Sequence, residues 1–110
     1  MGYLLYGLPA EAIDIDDRTL AHVKIVMLAK LRRDESFAFS FEYDLSDGSG
    51  RSTVWIHPTI PLQFKFLGSR QPAINREWLE VLIVSANSVD GMRLVPEPEK
   101  ATEEPTEKPA

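Results

Sequence analysis

From residue 37 to residue 44 apolar and polar positions alternate without a break, Phe37, Phe39, Phe41 and Tyr43 against Ala38, Ser40, Glu42 and Asp44. A period of two is that of a strand with one buried face. Residues 47–50, Asp-Gly-Ser-Gly, have the composition of a tight turn and predict a hairpin that returns through Ser52 to His57. A second return around Pro58 to Pro61 leads into Leu62, Phe64 and Phe66, again at alternate positions. The pattern predicts an antiparallel meander with a dense aromatic face, which the rest of the chain has to cover.

Upstream, residues 3–8 are apolar and stopped by Gly7 and Pro9, and Ile13 and Ile15 alternate with Asp14 and Asp16. These segments predict an opening pair of strands that extends the same sheet. Asp16 or Asp17 then caps a helix ending near Arg33 or Asp34, with Leu20, Val23, Met27 and Leu31 as its apolar stripe. Lys30, Arg32 and Arg33 crowd its last turn, where positive charge suits the exposed carbonyls. Arg18, His22 and Arg33 fall on the side of this helix away from the stripe.

Beyond the meander, residues 68–73 (GSRQPA) read as a loop, and Asn75 caps a second helix with Trp78, Leu79, Leu82 and Ala86 on one side. Asn87, Ser88, Asp90 and Gly91 stop it, and Met92 to Val95 form a short last strand. The order β-β-α-β-β-β-α-β predicts an α+β fold: a two-layer sandwich of a mainly antiparallel sheet, five to six strands, with two helices on one face. Residues 1–95 make a single domain. Residues 96–110 hold four prolines and no aliphatic side chain larger than alanine, the composition of a disordered acidic tail.

Charge sharpens this division. The chain of 110 residues carries a net −5, of which residues 1–95, with ten basic and twelve acidic side chains, contribute −2, and the tail contributes −3. A nearly balanced domain is not a strong polyanion binder by composition, and an acidic tail is a natural competitor for any basic site the domain has. With no cysteine, thiol catalysis, disulfides and thiolate metal sites are all excluded, which fits a cytoplasmic protein. No apolar run approaches the ~20 residues needed to span a bilayer, so no membrane association is expected.

Candidate chemistry is sparse. With the phenylalanines inward, Ser40, Glu42, Thr53, Trp55, His57, Gln63 and Lys65 face outward, and an aromatic beside a cation on a sheet face is one way to stack a base and hold a phosphate. Packing of Trp55 across Leu67 or the N-terminal strand, or its burial in a homodimer, is the more common role of a lone surface aromatic. Arg32, Arg33, Arg51 and Arg70 sit at a helix end or beside loops, and guanidinium groups grip phosphates in a two-pronged way; solvated salt bridges account for them too. The six residues Arg32, Arg33, Arg51, Trp55, Lys65 and Arg70 are thus the candidate nucleic-acid or anion contacts. Asp14, Asp16 and Asp17 have the chemistry of a magnesium site, but helix capping explains them, and no metal or cofactor is expected. The two histidines, His22 and His57, are far apart, no serine stands in a nucleophile elbow, and no phosphate-loop or dinucleotide glycine motif occurs. No catalytic residue is assigned.

The segments DDRTLAH, AKLRR, GSGR, IHP, GSR and NREW, spread over nearly the whole chain before the tail, resemble a family of small actinobacterial proteins of uncharacterised function. Proteins of this kind often carry the label ATP-dependent DNA ligase, which implies DNA or a DNA-processing protein as partner. Ligation of that type begins with adenylation of the lysine in Lys-x-Asp-Gly, and none of Lys24, Lys30, Lys65, Lys100 or Lys108 stands in that context. The expected function is a cytoplasmic binding module accessory to DNA transactions, without catalytic machinery. The alternatives are a structural or protein-interaction domain acting as a homodimer, and a ligase-related activity.

Overall fold

The computed structural model describes residues 2–45 and 48–98. In chain order the elements are β1 (Gly2–Tyr6), β2 (Glu11–Ile15), α1 (Asp17–Arg32), β3 (Phe37–Leu45), β4 (Gly48–Ile56), β5 (Leu62–Lys65), α2 (Arg76–Ala86) and β6 (Met92–Arg93). The fold is α+β, with six strands among the described residues. They form two small sheets, β2-β1-β5, antiparallel throughout, and β4-β3-β6, in which β3 and β4 are antiparallel and β6 runs parallel to β3.

The hairpin of β3 and β4 follows the alternation. Phe37 stands opposite Ile56 and Phe39 opposite Val54 on the buried side, while Ala38 faces Trp55 and Ser40 faces Thr53 on the other. Of residues 47–50, where the turn was expected, Gly48, Ser49 and Gly50 instead lie within β4, paired with β3, and residue 47, like residue 46, falls outside the described residues.

The third strand of the expected meander goes elsewhere. β5 does not continue from β4 but pairs with β1, Tyr3 opposite Lys65 and Tyr6 opposite Leu62. Two causes act together. Tyr3, Leu4, Leu5 and Tyr6 present apolar groups to both faces, the pattern of a central strand, and β1 therefore takes a partner on each side. Between β4 and β5, Pro58 and Pro61 supply no amide donors, and the Ile60 N–H closes a turn onto the His57 carbonyl at 3.0 Å. The opening strands accordingly belong to a separate sheet rather than extending the hairpin.

The helices join the two sheets. α1 packs against β1 and α2, and α2 against β3 and β6. Leu4, Ile13, Ile15, Leu20, Val23, Met27, Phe37, Phe39, Ile56, Trp78, Leu82 and Met92 form one continuous core. A further link is the Tyr6 hydroxyl, which donates to the backbone carbonyl of Trp55 in the other sheet.

Both helices start where the sequence places caps. The Asp16 carboxylate accepts the Thr19 amide at 3.0 Å, and the Asn75 side chain accepts those of Glu77 and Trp78 at 3.0 and 3.3 Å. α1 ends in a Schellman pattern: the Asp34 N–H bonds to the Leu31 carbonyl and the Glu35 N–H to the Lys30 carbonyl, with Asp34 left-handed at φ 59°. One position departs from the helical wheel. His22, expected on the outer side of α1, is wholly buried, because residue 75 and the first turn of α2 close over that side.

Candidate functional site

Two side chains at the start of α1 bind the segment that follows β5. The Asp17 carboxylate accepts the amides of Gly68 and Leu67 at 2.8 and 3.3 Å, which holds this carboxyl below the ordinary aspartate range. One residue on, an Arg18 Nη1 donates to the Ala73 carbonyl at 2.8 Å. The segment is thus fixed to the helix at both ends. Between the two attachments lies a cavity of about 300 Å³.

Ala21 and Ile25 of α1 meet Phe66, Pro72 and Ile74 of the facing segment, and the charged groups of the lining are Lys24 and Arg70. The Lys24 ammonium lies 5.6 Å from the centre of the Phe66 ring, a cation over an aromatic face. Among the described residues neither Lys24 nor Arg70 forms an ion pair. An apolar cleft of this volume with two cations suits a ligand with an apolar body and an anionic group.

The wall at Ala73 rests on a polar cluster behind it. Arg18 meets Glu97 in a two-pronged pair, Nε to Oε1 at 2.8 Å and Nη2 to Oε2 at 2.6 Å, and the Asn75 side chain donates to Glu97 at 2.9 Å. Arg18 above all, with Asn75 assisting, holds the Glu97 carboxyl at about 2. Glu97, which composition assigns to the tail, is therefore tied to the domain; residues 99–110 lie outside the described residues. Beneath this cluster the His22 Nδ1–H donates to the Arg18 carbonyl at 2.7 Å and its Nε2 accepts the Asn75 amide at 2.8 Å. The ring lies 4.4 Å from that of Trp78, whose indole N–H donates to the Val95 carbonyl at 2.7 Å.

Of the residues singled out by sequence, Arg70 lines the cleft. Arg51 and Trp55 share the outward side of β4, with Trp55 55% exposed. Lys65 lies on the other sheet, opposite Tyr3. Arg32 and Arg33 sit at the far end of α1, and Arg33 pairs with Glu35 at 3.4 Å. Since α1 rises 1.5 Å per residue, they are roughly 20 Å from the Asp17 end that holds the loop of Arg70. The candidates thus fall in four places. Lys24, Ile25 and Phe66 were missed: the apolar Ile25 beside Lys24 on the outer side of α1 was the available signal, but its partner segment is more than forty positions away.

Both nitrogens of His22 are engaged, and the Nδ1 of His57 is bonded to the Thr59 hydroxyl at 2.8 Å. Asp16 and Asp17 are committed to Thr19 and to the Gly68 loop, and among the described residues no group of three or more His, Asp or Glu stands together. No helix among the described residues is long and apolar enough to cross a membrane.

Residues 1–97 match the family model described as "Domain of unknown function (DUF7882)". No curated protein and no solved structure matches the chain.

Proposed function

Because the chain belongs to this family of unknown function, we propose from its geometry that it is a non-catalytic binding module whose ligand is an anion with an apolar body, held in the cleft between α1 and residues 66–74. One observation carries the reading: Lys24 and Arg70 stand over apolar walls with no carboxylate paired to them among the described residues. Cations left unpaired beside a pocket of ligand size are available to an incoming anion, and the apolar floor strengthens that attraction by keeping water out.

The test uses 8-anilinonaphthalene-1-sulfonate, an apolar fluorophore bearing one sulfonate. Saturable binding of one equivalent is expected, and a Lys24→Gln/Arg70→Gln variant loses about tenfold in affinity, the equivalent of ~1.4 kcal/mol. Both side chains lie at the surface of the cleft, so the melting temperature of the variant stays close to that of the parent. Equal affinity in parent and variant would remove the cleft from the assignment.

A second reading follows the DNA connection of the ligase-labelled proteins that the sequence resembles. It is favoured by Arg51 and Trp55, which share the outward side of β4, Arg51 without an ion pair among the described residues. In this reading a phosphate backbone runs over Arg51 and a base stacks on Trp55, with Arg32, Arg33, Lys65 and Arg70 as outlying contacts. Anisotropy of labelled single-stranded, duplex and nicked DNA decides it: affinity falls steeply from low to physiological salt if phosphates are held, and flat curves for all three exclude it. A dimer in light scattering that Trp55→Ser dissolves would instead assign that face to a second copy.

A further inference from the structure

The last described residues bring the chain to the edge of the cleft. Glu97 is held by Arg18, and Arg18 also holds Ala73, which lies between the wall residues Pro72 and Ile74. From Arg18 to Lys24 is six residues of helix, about 9 Å along its axis. Residues 99–110 leave from this point and carry Glu99, Glu103, Glu104 and Glu107 against Lys100 and Lys108.

We propose that residues 99–110 of this same chain occupy the cleft, their glutamates meeting Lys24 and Arg70, and that the segment is thereby an intramolecular competitor of the external ligand. The inference rests on the reading of the cleft as an anion site. Reach is no obstacle: at ~3.3 Å per extended residue, Glu103 and Glu104 travel about 17 to 20 Å beyond Pro98, twice the distance required. Charge matches, four carboxylates and a net −2 against two cations. Tethering makes the encounter intramolecular, with an effective concentration on the order of millimolar for a short linker, so even weak carboxylate contacts keep the site covered. The segment has no large apolar side chain to bury against Phe66 and Ile25. It therefore screens the cations and yields to a ligand that also fills the apolar floor.

The experiment keeps the full chain and neutralises Glu99, Glu103, Glu104 and Glu107 to Gln. In about 10 mM salt, where screening is weak, the neutralised chain binds anilinonaphthalene sulfonate about threefold to tenfold more tightly than the parent, and the gap closes near 0.5 M. The same affinity in both chains at low salt overturns the proposal. A second arm needs no ligand. The chain has no cysteine, so Thr106→Cys gives one attachment point for a nitroxide, which broadens the amide signals of Lys24, Ile25 and residues 68–71 if the segment lies in the cleft. Lys24→Gln/Arg70→Gln removes that broadening. Signals unaffected there, or broadened equally over the whole surface, overturn the proposal. If the probe binds neither chain while the broadening is present, the ligand assignment of the previous section fails and the contact of residues 99–110 with the cleft stands.

Discussion

The imidazole of His22 accepts the backbone N–H of Asn75 across 2.8 Å, and so fastens the first helix to the residue that caps the second. The other ring nitrogen donates to the Arg18 carbonyl, which fixes the tautomer. Both bonds lie inside the protein, where an amide left without a partner costs about 1–3 kcal/mol.

His22→Phe tests this link. Phenylalanine fills the space and keeps the contact with Trp78, but it orphans the Asn75 amide, while the Arg18 carbonyl keeps its bond within α1. The variant is expected to be about 2 kcal/mol less stable, read as a lower urea midpoint at an unchanged slope. A midpoint equal to that of the parent would show the bond to be worth nothing.

The Arg18–Glu97 pair predicts an acid limit. The Glu97 carboxyl is held at about 2, against an ordinary 4.5, so between these values the unfolded chain binds more protons than the folded one. Its contribution is complete above pH 4.5 and lost as the pH falls toward 2. With Arg18 partly open to solvent, about 1–2 kcal/mol is a fair size for the effect. Thermal midpoints from pH 6 to pH 2.5 should fall less steeply in Glu97→Gln than in the parent. Part of the slope persists in the variant, since Asp17 and Glu35 are also held below their ordinary values.

Gly91 leaves no room for a side chain. Its φ is +85°, and a Cβ placed there would stand 2.7 Å from the Ala38 carbonyl oxygen and 2.8 Å from the Ala38 Cβ. Gly91→Ala combines the strained backbone with a collision against β3, and is expected to cost about 2–4 kcal/mol. A loss under 1 kcal/mol by urea denaturation would mean that the α2–β6 connection gives way without cost.

Asp34 offers the opposite sign. It holds the left-handed position that ends α1 and forms no ion pair among the described residues. Glycine adopts that conformation without steric cost, so Asp34→Gly should raise stability by about 0.5–1 kcal/mol. Calorimetry reads this as a small rise in melting temperature, and a fall would contradict the cap geometry.

The local decisions were legible because each depends on residues close together in the chain. The Phe37 to Phe41 alternation, the Asp16 and Asn75 caps and the Trp78, Leu82, Ala86 face all stand in the structure. The candidate cleft was legible only at Arg70. Its other cation, Lys24, carries no sequence signal of its own; it joins the cleft only once the segment after β5 is laid beside α1.

What the sequence determined by itself is the set of elements, their buried faces and their ends, and with these the α+β class. Periodicity and capping act over a few residues and need no knowledge of the partner. Tertiary structure decided the rest. β5 joins β1 because a strand apolar on both faces takes a central place, and the hairpin face then meets that second sheet through the helices. His22 is buried because α2 closes over it. The cleft exists because Asp17 and Arg18, neighbours in sequence, hold Gly68 and Ala73 some fifty positions away. Strand partners and loop attachments are choices between distant segments of similar local pattern, and only the packing of the whole core distinguishes them.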